Sequence, residues 1–391
     1  MHIKIILVIL ILALLACAAN ISILKPPATP LPETASTVFI EPTQPLPSSS
    51  LDSEPLVVPD GISAFHMLDA QNGWMVTNTS VLRTADGGAT WHDVSPRGAS
   101  AFGFGIGTSF LDSNLGWVLI GDPQEPLNTG KLYHTRDGGI HWDKFVTPFG
   151  GGEIHFLDMR NGWVMIVAGA GAGNMPVLFY QTTDGGANWI QVYNNLPGDP
   201  GEQNSLPMSG LKSGFTPVSM QEAWVTGNPW VSNTVYLYHT LDGGRTWSAV
   251  DPHLPFGGDA TYLTSPPVFF GSQIGLLPTM AGSEGSGMFF FITQDGGNTW
   301  MAGVGVPGSG LTSVVSPNDV FILFSGVIFV SHDATQIWTN VTPNVDFTSK
   351  IVTQFQFVDI QTGWVVLSDA SSPTSLYKTT DGVQTWAAQV P

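Results

Sequence analysis

The stretch TADGGATW at residues 84–91 decides how the rest of the chain is read, because the same pattern returns six more times. The other copies are TRDGGIHW (135–142), TTDGGANW (182–189), TLDGGRTW (240–247), TQDGGNTW (293–300), SHDATQIW (331–338) and TTDGVQTW (379–386). Their aspartates are Asp86, Asp137, Asp184, Asp242, Asp295, Asp333 and Asp381, spaced by 51, 47, 58, 53, 38 and 48 residues. That spacing is the length of a four-stranded propeller blade.

A second motif precedes each copy: LDAQNGW (68–74), LDSNLGW (111–117), LDMRNGW (157–163), VSMQEAW (218–224), FGSQIGL (270–276), VSPNDV (315–320) and VDIQTGW (358–364). Each lies between apolar runs and reads as a hairpin turn. One unit is therefore strand A, this turn, strand B, a loop, strand C, the aspartate turn and strand D. Seven such units fill residues 61–391, which predicts an all-β, seven-bladed propeller of four-stranded antiparallel blades.

The residues of the aspartate turn have a local physical role. A tight hairpin leaves N–H groups unpaired at its tip, and a carboxylate can accept from them. Gly-Gly permits positive φ at little steric cost. The hydroxyl residue two before each Asp (Thr or Ser) can bond locally too. The Trp five after each Asp is expected to bury its ring between blades, and the Leu, Tyr or Phe four before Asp to join the core. The sixth copy has Ala334 and Thr335 in place of glycines, so its turn is expected to be the least regular. Seven aspartates on seven blades, each with a backbone role, do not make a metal or catalytic set.

Composition narrows the function. The 391 residues carry 12 Lys and Arg against 30 Asp and Glu, a formal net charge of −18. No basic patch is available for nucleic-acid phosphates. No His pair has metal-ligand spacing, and no cofactor fingerprint is present. The GAGAG run at 169–173 does not open a helix and is no phosphate loop. No cofactor and no metal are expected.

The N-terminus reads as a targeting segment. Lys4 precedes an apolar run from Ile5 to Leu15, followed by Leu14-Leu15-Ala16-Cys17. Cys17 is the sole cysteine, which excludes a disulfide within one chain. Residues 1–17 are thus expected to be a signal peptide with a lipidated Cys17, and the protein a membrane-anchored, extracytoplasmic lipoprotein. The alternative is an uncleaved signal anchor over residues 5–24. Residues 18–60 hold nine prolines and read as an extended linker.

The LLAC stretch resembles the lipobox of bacterial lipoproteins. The seven turns resemble the Asp-box, or bacterial neuraminidase, repeat over about 330 residues. Similar propellers include sialidases, xyloglucan-cleaving glycosidases, the sortilin ectodomain and photosystem II stability and assembly factors. The recurrent D-x-x-x-G-W turn looks closest to the assembly-factor-like group. That group's partner binding is associated with an arginine-rich patch, which this chain lacks. A sialidase needs three arginines on its carboxylate, and of Arg83, Arg97, Arg136, Arg160 and Arg245 only Arg97 falls outside the turns. Fold does not choose among these functions.

Alternating strand direction puts the A–B turns and the aspartate turns at one end of the ring. The B–C loops and D-to-A crossovers share the other, more variable end, where binding is expected. Seven Trp sit in aspartate turns and five in GW-type positions, leaving Trp230 alone in a variable loop. It either packs its own loop or contacts a sugar or peptide, with Phe256 and Tyr262 as weaker binding candidates. A glycoside hydrolase of neutral polysaccharide is the alternative function. It needs two carboxylates, for which Glu153, at the start of an innermost strand, is the weak catalytic candidate. Asp122, Glu125, Asp199, Glu202, Asp251, Asp259, Glu284 and Asp369 are further carboxylates at that end. The expected function is non-catalytic docking of a protein or glycan partner.

Overall fold

The computed structural model describes residues 61–391 except 100–101, 103–105, 122–124, 199–205, 256–259, 283–286, 349, 370–371 and 390–391. Cys17, the linker and Phe256 lie outside the described residues. Seven antiparallel sheets follow one another along the chain, over residues 62–93, 107–147, 153–194, 211–249, 261–307, 311–341 and 351–388. Strands pair in the order A–B–C–D within each, and each sheet is one blade of a seven-bladed propeller. Blade five departs in detail. Pro266 and Pro267 follow Thr261–Thr264 and precede Val268–Phe270, splitting strand A where the ladder loses its donors. Its strand D is likewise split into Met301–Ala302 and Val306–Pro307.

The core lies between blades. Strand B of blade one (Gly73–Thr77) is buried at every residue because both of its faces are covered. Met75 packs with Trp364, Val366 and Leu376 of blade seven. Trp74 and Val76 point the other way, to Phe110 and Val118 of blade two. The same alternation builds an apolar layer at every interface around the ring.

The GW tryptophans are among the largest fully buried side chains of the fold. Trp74, Trp117, Trp163, Trp224 and Trp364 are all inaccessible to solvent. Four of them donate across to the next blade: Trp74 Nε1 to Asp112 O (3.1 Å), Trp117 to Gly185 O (3.0 Å), Trp163 to Ser219 O (3.0 Å) and Trp364 to Gly87 O (2.9 Å). The expectation that the aspartate-turn Trp fills the interface in every blade is corrected. Trp247, Trp300 and Trp386 are buried, whereas Trp91, Trp142, Trp189 and Trp338 are only half-buried. Trp189, Trp247 and Trp386 donate to a carbonyl of their own turn, three residues back.

At four of the five GW tryptophans the residue opposite covers the ring, as Arg83 does 5.9 Å over Trp74. His134 pairs with Trp117 across strands B and C and stacks on it at 4.5 Å. His239 stacks on Trp224 at 3.9 Å, and Lys378 sits 5.0 Å over Trp364. His134 is buried, not half-exposed as its polar neighbours in the repeat suggest.

Candidate functional site

The aspartate turns form the structural end of the ring. In each, the hydroxyl two before Asp donates to the carboxylate, as Thr84 does to Asp86 at 2.8 Å. The carboxylate in turn accepts the amide four residues on, for example that of Thr90 at 2.9 Å. The amide after each Asp reaches the A–B turn of the same blade, as Gly87 N does to Gln71 O at 2.7 Å. Both turn sets therefore share one end, as strand alternation requires. Partial burial raises the Asp86 pKa, but bonds from the Thr90 hydroxyl and amide and the Thr84 hydroxyl outweigh it and bring it to about 2. The amide and imidazole of His141 bring Asp137 to about 2.

The sixth turn keeps the frame of the others but is less regular, as expected. The bond from the Asp amide to the hydroxyl two before it, and the side-chain bond to the carboxylate from the residue four after it, both present in the other six, are not formed at Asp333. Ser331 donates to Asp333 at 2.9 Å and Ile337 N to Asp333 at 2.9 Å. The backbone keeps positive φ, 58° at Ala334 and 63° at Thr335, without glycine. The hydrogen bonds and the A–B contact from Ala334 N to Asn318 O outweigh the steric cost.

At the opposite end, three loops are tied together around Trp230. Lys212 opens this arrangement from strand A of blade four (Leu211–Pro217). Its buried ammonium donates to the carbonyls of Pro207 (2.6 Å), Met208 (2.9 Å), Ser209 (3.1 Å) and Gly210 (3.2 Å) and lies 4.9 Å over the Tyr236 ring. Burial pushes its pKa down to about 8, which leaves it charged at neutral pH. The crossover it grips bridges to the B–C loop of blade three, through Met175 N to Met208 O and Gly210 N to Gly173 O, both 2.8 Å. On its other side, Gly210 (φ +84°) packs so close that an added Cβ would meet Asn228 O at 2.7 Å and Pro229 Cα at 3.1 Å. A glycine is required there.

Trp230 follows directly. Its N–H donates to Asn228 Oδ1 at 2.8 Å, its φ is +59°, and it is 53% exposed next to exposed Val231. A left-handed backbone is costly for a bulky residue, and here it is spent on a ring that faces solvent. Tyr262, by contrast, is fully buried in the core between blades four and five, edge-on to Phe289. Its expected binding role is corrected: the strand A position that looked like loop turns its ring inward.

Glu153 begins strand A of blade three (Glu153–Phe156). Its carboxylate meets His155 Nε2 at 2.8 Å and stands against Gly214 of blade four, whose added Cβ would lie 3.1 Å from it. Among the described residues no carboxylate shares a hydrogen bond with it. Of the other candidate carboxylates, Asp122, Asp199, Glu202, Asp259 and Glu284 lie outside the described residues. Among the described residues no group of His, Cys, Asp or Glu is arranged to hold a metal ion.

One strand A position stitches the inner ring. Ser109 accepts from Phe156 N (3.0 Å), Thr216 donates to Pro267 O (2.8 Å), and Ser313 accepts from Phe357 N (2.8 Å), each across to the next blade. Blades one and three carry His66 and His155 there. The signal was the fixed offset of eight residues before the GW-type position.

No protein-family model matches the chain. A xyloglucanase from a Paenibacillus species is 23% identical over 268 residues, covering 59% of this chain and 24% of the relative. The chain thus spans about a quarter of that relative's length. Among solved structures, YCF48 bound to D1 peptide superposes with a TM-score of 0.56 at 18% identity, over 84% of this chain and 95% of that one. YCF48 from Cyanidioschyzon merolae gives 0.54 at 18% identity, over 83% and 98%. At these identities the likeness shows a shared seven-bladed propeller fold.

Proposed function

We propose that the chain is a non-catalytic docking propeller, tethered outside the cytoplasm through a lipidated Cys17, that binds a protein or glycan partner with its variable loops. The observation that carries this reading is Trp230: a large aromatic held in a strained backbone, exposed, on loops fixed by a buried cation. Strain at an exposed anchor is kept where the surrounding structure over-determines it, as at ligand clamps. The same fold in YCF48 is seen bound to a peptide, which supports a docking use of the scaffold. The polysaccharide-hydrolase alternative draws on Glu153 beside His155 and on the xyloglucanase match.

The test is photocrosslinking in the producing cell with the full-length chain. A photoreactive amino acid in place of Val231 reports the variable end, and one in place of exposed Ile140 reports the turn end. Adducts from position 231 and none from 140 are expected. Adducts from position 140 alone would place the partner on the wrong end and sink the reading.

A further inference from the structure

We propose that the loops around Trp230 form a binding platform for a neutral saccharide, with the indole as its stacking surface. This rests on the docking reading above and names the ligand class for it.

The first argument is charge. Residues 168–176, 206–210 and 228–234, which make up the platform, contain no Asp, Glu, Lys, Arg or His, in a chain whose net charge is −18. Lys212 beneath them is spent on four carbonyls and shielded from solvent. Within these described segments a carboxylated or sulfated ligand would find no counter-charge, and a cationic peptide no acid.

The second argument is surface chemistry. Residues 169–173 are exposed and offer nothing larger than a methyl group, so a turn of bare backbone, closed by the Gly171–Asn174 pair, lies on one side of the crossover and Trp230 on the other. Around them the exposed side chains are Asn174, Ser209, Ser232, Asn233 and Thr234, with Val231 the exposed branched aliphatic beside Trp230. Amides and hydroxyls both donate and accept, which suits the hydroxyls of a sugar. The indole face suits the C–H face of a pyranose, as an amphipathic aromatic does wherever one side is apolar and the rim is wet.

The third argument is pre-organisation. The Lys212 contacts, the Gly210–Gly173 bond and the Gly210–Pro229 approach fix the three loops before any ligand arrives. Ordering cost is thereby lowered, which matters for a ligand offering few contacts.

The experiment is affinity electrophoresis of the full-length, detergent-solubilised chain in gels cast with xyloglucan, arabinan, mixed-linkage β-glucan or galactomannan, with polygalacturonate as the anionic control. Retardation is expected in at least one neutral gel, unaffected by high salt. Trp230→Ala should weaken it at least about tenfold, the scale of a lost aromatic anchor, with no change in melting temperature. No retardation in any neutral gel, retardation by polygalacturonate alone, or equal retardation of Trp230→Ala overturns the proposal. If retardation is absent while position 231 still crosslinks to a protein, the saccharide assignment falls and the docking reading stands. Crosslinks confined to position 140 take both down.

Discussion

The Gln356 side chain forms a two-way amide pair with the backbone of Met67: it accepts the Met67 N–H and donates to the Met67 carbonyl, both at 2.8 Å. The two residues stand 289 positions apart, on the innermost strands of the last and first blades. Neither blade borrows a strand from the other, since blade one is built from residues 62–93 and blade seven from 351–388. The ring is therefore closed by side chains. Trp364 donating to Gly87 O and Lys378 Nζ to Ala70 O (3.2 Å) complete the seam.

Gln356→Leu should lower stability by about 2–3 kcal/mol, because it strands a donor and an acceptor of Met67 together. Ser109→Ala, which removes one bond at an ordinary interface, should cost about 1 kcal/mol. Denaturant titration of both variants checks the order. Equal losses would show that the seam is no weaker point than any other interface.

Tryptophans should rank by burial and not by motif. Trp163→Ala, inaccessible and bonded to Ser219 O, should cost about 3–5 kcal/mol. Trp189→Ala, half-buried, should cost clearly less, and Trp230→Ala no more than about 0.5 kcal/mol. Thermal melts of the three variants decide this.

Thr335→Gly should stabilise by about 1–2 kcal/mol. It relieves a β-branched residue at φ 63° and removes a buried hydroxyl that has no hydrogen-bond partner. The opposite change at the equivalent position, Gly186→Ala, should destabilise, since its φ is +94° and the new Cβ would meet Leu132 Cδ2 at 2.2 Å. Differential scanning calorimetry reads both signs.

Acid should lower stability in two stages. Burial, assisted by the charge of Arg136, lowers His134 from 6.5 to about 4. The folded state thus binds fewer protons than the unfolded one, and the contribution present above pH 6.5 is lost as pH falls towards 4. Asp86 and Asp137, lowered from 3.8 to about 2, contribute above pH 4 and lose that contribution between about pH 4 and 2. His134→Gln should flatten the upper stage alone in a melting-temperature profile against pH. A profile unchanged above pH 4 would mean that His134 is not the titrating group.

Blade number, strand order and the shared end of the two turn sets were legible from spacing and strand alternation. The hydroxyl and carboxylate positions were legible because their job is local to six or seven residues. The structural rank of Trp163 over Trp189 was not, because indole direction depends on blade twist and both sit in equally regular motifs. Tyr262 was misread for a related reason: beside Pro266 and Pro267 its strand has no readable alternation. Lys212 gave no sequence signal, since its four partners are backbone carbonyls. The exposed loop position of Trp230 was legible by elimination, as it is the one tryptophan outside both motifs.

On the proposed docking reading, this propeller binds its partner without cleaving it. The most direct measurement is reducing-end release by the purified full-length chain from xyloglucan and arabinan over a day, beside the Glu153→Gln variant. No release above the buffer control is expected from either protein. Steady release by the wild type that Glu153→Gln abolishes would contradict that reading and establish a hydrolase.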